Sequence, residues 1–195
     1  QSSFKDISIL LLSGVVGISL GDTFYIVSLS LLGTRRTLTV EALSPIIATI
    51  LGAIFLQEML STKLWLGVTI VSFSLFGVAL QKPKENKKGI YKSYNIKGFI
   101  FAFISVFCAV IAATLSRLVL KNSELNPFQT TEIRLLGSII ALTPFVRNNL
   151  NQSIRGLLLS HKVKLLYATI LGTNIGILLQ QNVFKILPIG LGWTL

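Results

Sequence analysis

Asp22, Glu41 and Arg134 are charged residues that fall inside long apolar runs, and they are where the chemistry of this chain must be sought. Asp22 lies in Gly21-Asp22-Thr23-Phe24-Tyr25, with about fifteen mostly apolar residues before it. An aspartate at the centre of a membrane helix costs about 2.5–3.5 kcal/mol on insertion scales, so it should face a cavity or a partner. It is read either as a substrate contact or proton carrier, or as a structural hydrogen bond to a neighbouring helix. Tyr25, three residues on, falls on roughly the same helix face. It either lines the same cavity or packs between helices. Glu41 precedes Pro45 by four residues, and a proline there frees a backbone carbonyl toward a cavity. Arg35 and Arg36 are the alternative partners for Glu41, and Glu58 reads as an interfacial cap or loop contact.

Glu132 and Arg134 are two residues apart and so point in different directions on a helix. Arg134 is deep enough to meet an anionic substrate group or Asp22; the alternative is snorkelling to the nearer surface. Asn174, between Gly172 and Gly176, and the polar run Gln180-Gln181-Asn182 either glue helices together or line a polar pathway. The substrate-binding or coupling candidates are therefore Asp22, Tyr25, Glu41, Arg134, Asn174 and Gln181.

Enzyme chemistry finds little support. The chain has one histidine, His161, among Ser160, Lys162 and Lys164, and one cysteine, Cys108, inside an apolar run. A lone cysteine forms no internal disulfide and no Cys-based zinc site. Zinc-protease and phosphate-loop motifs are missing from the sequence. We expect a non-enzyme with no cofactor and no metal.

The elements that position these residues are membrane helices. Charged residues make up 13% of the chain and hydrophobic ones 52%, with a mean hydropathy of +0.74. A soluble domain carries roughly 25% charged residues. The net charge of +11 would suggest nucleic acid in a soluble protein, but here the basic residues sit between apolar runs. Such residues orient spans and meet anionic lipid headgroups, so nucleic acid is not an expected partner. The runs give six spans, near 7–32, 37–56, 64–80, 98–118, 127–146 and 165–184, and the start of a seventh from 186. Crossing a hydrocarbon core of about 30 Å takes about 20 apolar residues, and only helices satisfy their backbone within one segment.

Shifting the chain by 155 residues places Gly17 on Gly172, Gly21 on Gly176 and Thr39 on Thr194. The position matching Pro45 would fall beyond Leu195, and the first residue is Gln1, so the chain reads as a piece of a longer one. The lysine-rich connection at 81–97 is then the seam between two related halves. Alternate connections carry two, six and four basic residues, which places that set in the cytoplasm by the positive-inside rule.

Gly21-Asp22-x-x-Tyr25, Leu31-Leu32-Gly33, Pro45 within an apolar helix, Leu56-x-Glu58, Trp65-x-Gly67 and Gly77-Val78 together resemble the EamA-type repeat of the drug/metabolite transporter superfamily. The resemblance implies an all-α polytopic bundle of two five-helix inverted repeats, truncated at both ends. Residues 1–81 would hold the last three helices of the first repeat, 82–97 the basic connection, and 98–195 the second repeat, cut in its fourth helix. It further implies a secondary transporter of a small metabolite (an amino acid, a related metabolite or a drug-like molecule) working by alternating access, expected in the plasma (inner) membrane of a bacterium. Partners would be the substrate, membrane lipids, a proton as coupling ion through Asp22 or Glu41, and a possible homodimer. The superfamily's usual topology puts the 81–97 connection outside, opposite to the charge bias. The alternatives are an integral-membrane lipid-modifying enzyme and a non-transporting assembly subunit.

Overall fold

The computed structural model describes residues 4–59, 61–80, 96–146 and 159–194. Within them the chain is an all-α polytopic membrane protein, and every regular element is helical. The first span is one rod built of three parts: α1 (Phe4–Gly14), a π-helical segment (Val15–Gly21) and α2 (Asp22–Leu32). Gly33 ends it. Its φ of 82° lies where a Cβ would be strained, and from there the chain enters α3 (Thr34–Glu41).

The second span breaks after Glu41. A turn through Ala42 and Leu43 leads into α4 (Ser44–Leu56), with Pro45 in its first turn. The sequence suggested a single helix kinked at Pro45. The structure instead splits it in two, because the proline ring excludes the carbonyl of the residue four before it, which is Glu41. A proline in the first helical turn costs nothing, since the N–H it lacks would have no partner there.

Further on come α5 (Thr62–Leu80), α6 (Ile96–Asn122), α7 (Pro127–Val146), α8 (Leu159–Ala168), a second π-helical segment (Thr169–Ile175), α9 (Gly176–Ile186) and α10 (Ile189–Gly192). Among the described residues, Phe4–Leu32, Thr34–Leu56, Ile96–Asn122 and Leu159–Ile186 are each long and apolar enough to cross a membrane. The sequence-derived boundaries of α7 coincide with those observed; α6 and the last span run several residues longer. The basic stretches at 81–95 and 147–158, and with them most of the predicted seam, lie outside the described residues.

The bundle is organised on α6, which packs against the first span, α3, α4, α7, α9 and α10. Its inner face buries Ala102, Val106, Val110, Ala113 and Leu120 against Ala48 and Leu56 of α4, with Phe184 and Ile189 closing the cluster. Gly98, near the start of α6, meets Leu31 and Leu32 at the end of α2, so α2 and α6 run in opposite directions. At the other membrane face Leu10 of α1 joins Val119 and Leu125. α8 and the second π segment stand apart, with no buried residue.

Association inside a membrane depends on close backbone approach more than on apolar burial, since lipid is as apolar as leucine. Two glycines supply that approach between α1 and α7. A Cβ on Gly14 would strike the backbone of Arg134, and one on Gly137 would strike the backbone of Leu11. Each helix thus offers a bare glycine to the other's main chain. Gly137→Ala should therefore destabilise the detergent-purified protein by about 1–3 kcal/mol, as overpacking does. Gly67→Ala, where nothing lies within 4 Å of the added carbon, should leave the thermal midpoint unchanged; equal midpoints for the two variants would refute this packing.

Candidate functional site

Two polar assemblies lie inside the bundle, and their chemistry differs. The first gathers four of the six sequence candidates. Asp22 opens α2 directly after the π segment, and its side chain is exposed rather than packed away. It lies within electrostatic range of Tyr25, Glu41 and Arg134, which come from the same span, the end of α3 and α7 respectively. Tyr25 also feels Glu41. Ser44, across the turn forced by Pro45, donates to Glu41 Oε2 at 3.5 Å.

The π segment fits this role. An i→i+5 turn holds one more residue than an α turn, and so rotates the downstream residues relative to the preceding face. Val15–Gly21 is pinned while doing so: Ser19 Oγ donates to the Ser138 carbonyl of α7 at 3.1 Å, and Thr23 Oγ1 returns to the Ser19 carbonyl at 2.5 Å. Arg134 is 4% exposed, and its Nε and Nη1 have no hydrogen-bond partner among the described residues. Glu132, two residues earlier, is exposed beside Ile7, Phe128 and Gln129, so the pair does point in different directions. The snorkelling alternative for Arg134 does not describe a guanidinium this buried.

The second assembly was not foreseen as one. The Gln57 backbone adopts the left-handed conformation (φ 53°), which ends α4 and turns Glu58 back toward the bundle. Glu58 is buried, and its Oε1 pairs with Arg117 Nε at 2.7 Å. Its Oε2 accepts the Ile189 backbone N–H at 3.0 Å, and Arg117 Nη1 donates to the Phe184 carbonyl. One turn along α6, Lys121 Nζ donates to the Leu56 carbonyl at the end of α4 (3.2 Å), where cations suit the helix dipole. This junction ties together the ends of α4, α6, α9 and α10.

Gln181 belongs here rather than with Asp22. It is fully buried and accepts from Ser116 Oγ at 2.5 Å, while its Nε2 has no partner among the described residues. Asn174 sits exposed on the second π segment, apart from both assemblies. Glu58 makes the loop contact expected of it, but its ion pair escaped sequence reasoning. The signal was present: Arg117 stands one residue inside the 98–118 run, and an arginine there needs a carboxylate within reach.

Residues 1–80 match the EamA-like transporter family. The expected resemblance thus holds over the stretch from α1 through α5, which carries Asp22, Tyr25, Glu41 and Glu58; Arg117 and Arg134 lie outside it. No curated protein matches the chain. The EamA-like match gives residues 1–80 the signature of an integral-membrane transporter.

Removing one partner of a buried pair strands the other, at about 3–5 kcal/mol. Glu58→Ala and Arg117→Met should each lower stability by that order. The Glu58→Ala/Arg117→Met double variant should lose less than the sum of the two, by about 1–3 kcal/mol of coupling. Additive losses in thermal unfolding of the purified protein would show that the pair does not act as a unit.

Proposed function

We propose that this protein is a secondary transporter that carries a small metabolite (an amino acid, a related metabolite or a drug-like molecule) across the membrane by alternating access, without a covalent intermediate. The observation that supports it most is the convergence of Asp22, Tyr25, Glu41 and Arg134 from three helices onto one region within the spans. Ionisable groups at such depth are costly in lipid and commonly border substrate or ion pathways.

The polar groups are distributed unevenly between the two membrane faces, which suits alternating access. At the membrane face where α4, α6 and α9 end, the Glu58–Arg117 junction joins the helix ends. Gly33 and the start of α6 mark the opposite face, and Asp22 and Glu41 lie on its side of the junction. A carrier needs one closed and one open end at any moment, and the junction is the group of contacts that would have to part for the other state.

A recurrence of elements favours the two-repeat organisation. Phe4–Glu41 and 159–192 both run α-helix, seven-residue π segment, eleven-residue α-helix, break, α-helix. The break falls at Gly33 in one and at Leu187-Pro188 in the other, in keeping with the 155-residue shift of the glycines. Substrate sites in carriers built of inverted repeats lie near the midplane between them. On this reading 1–81 and 98–195 are the parts of two repeats joined at 82–97, the membrane is the plasma (inner) membrane of a bacterium, and Asp22 or Glu41 carries a coupling proton.

The test is flux through the full-length protein in proteoliposomes, with a radiolabelled amino-acid mixture as probe and a pH gradient as drive. Asp22→Asn should cut gradient-driven flux at least tenfold at unchanged protein stability. Undiminished flux with the same pH dependence would remove Asp22 from the mechanism; no flux in the unaltered protein above empty liposomes would count against the carrier reading for these substrates.

A further inference from the structure

Among the described residues Arg134 is the charged side chain that is buried with hydrogen-bond donors unmet. It lies about 10 Å along α7 from Pro127, at 1.5 Å per residue. The guanidinium is buried, yet Nε and Nη1 find no acceptor among the described residues. A buried donor on a charged group left without a partner is expensive, more so where no water replaces it. Asp22 acts on it electrostatically but accepts from neither of those nitrogens, so the charge is offset at a distance and the hydrogen bonds are not made.

Two glycines of the first span border Arg134 without offering it a hydrogen-bond acceptor. Gly14 seats the Arg134 main chain directly against α1. Gly17, one turn on, passes beside the head group. A Cβ there would lie 3.5 Å from Nη2 and 2.6 Å from Ala112 Cβ. The bare glycine lets Ala112 of α6 and the guanidinium of α7 both close on the first span. Either bidentate fork of an arginine uses Nη2 together with Nε or Nη1, so each fork here holds one unmet donor.

We infer that Arg134 is the subsite for a carboxylate on the transported molecule, so that the substrate is a monocarboxylate-bearing solute that takes the hydrogen bonds Asp22 does not make. The inference rests on the carrier reading and narrows it. A planar carboxylate matches the guanidinium fork with two parallel hydrogen bonds, which a neutral amide cannot do and a lysine would not do. A dianion such as phosphate is disfavoured by the charge already present: Asp22 acts on this guanidinium, and one guanidinium does not balance a carboxylate and a doubly charged ligand.

The test uses the full-length protein in detergent, with thermal unfolding read against acetate, propionate and alanine, against their amides, and against inorganic phosphate, all at one ionic strength set with chloride. The carboxylates should raise the midpoint saturably, while the amides and phosphate should not. Arg134→Gln should abolish the response, and Arg134→Lys should leave a weakened one. Should Arg134→Gln fail to fold, modification of Arg134 by phenylglyoxal in the unaltered protein, read by peptide mass, should slow at least fivefold with propionate and not with propionamide. Equal responses to acids and amides, a stronger response to phosphate, or no protection would overturn the subsite. The two readings part cleanly. A carboxylate response without flux in liposomes keeps the subsite and sinks the carrier, and flux that carboxylates neither compete with nor stabilise does the reverse.

Discussion

A membrane interior offers no water to a donor or acceptor, so every polar group in these helices must be met by the protein itself or by a molecule the protein binds. The bundle obeys this rule almost to excess at one end. The carboxylate of Glu58 is met by Arg117 and by the Ile189 amide, and Arg117 by the Phe184 carbonyl as well. Serine and threonine hydroxyls along the spans return to carbonyls three or four residues back, as with Ser13, Ser28, Thr49 and Thr114. Against that background the unmet donors of Arg134 and the open carboxylate of Asp22 are the charged departures from the rule, beside the neutral ones at Ser72, Gln181 and Trp193. A group left unsatisfied where its neighbours are satisfied is where a ligand would be expected to act.

The backbone devices that build the departure are local. Pro45 ends α3 at Glu41 and thereby leaves a carboxylate at a helix terminus instead of mid-rod. Gly33 reverses the chain at φ 82° so that α3 returns beside α2. The π segment lies between the part of the first span that packs on α7 and the part that carries Asp22 and Tyr25. Glycines 14 and 137 draw α1 and α7 to backbone contact, and that approach is what brings Arg134 under the first span.

Much of this was legible in the sequence for a physical reason: hydrophobic length and the position of charges are dictated by the solvent, and in a membrane the solvent leaves little choice. The boundaries of α7, the depth of Asp22 and Arg134 and the opposed directions of Glu132 and Arg134 come from that alone. Helix geometry finer than a turn does not. An i→i+5 segment has no hydrophobic signature distinct from an α-helix, so both π segments were invisible, and the break at Pro45 looked like a kink. Of the two readings open for Gln181, its bond from Ser116 is of the helix-joining kind, a partner that period alone cannot name. Arg117 was overlooked because the span was drawn to end beside it, which made an interior arginine look interfacial.

The whole account turns on whether Asp22 and Tyr25 border water while other exposed residues of the same bundle border lipid. The direct measurement is cysteine accessibility in liposomes, in a full-length background with Cys108 replaced by alanine. Single cysteines at positions 22 and 25 would be compared with cysteines at Ile54 and Phe73, which are 66% and 71% exposed on α4 and α5. Rapid labelling of positions 22 and 25 by a charged, membrane-impermeant thiol reagent from one face, with positions 54 and 73 inert, is the expected result. Inert cysteines at 22 and 25 from both faces would mean that these polar residues serve packing alone.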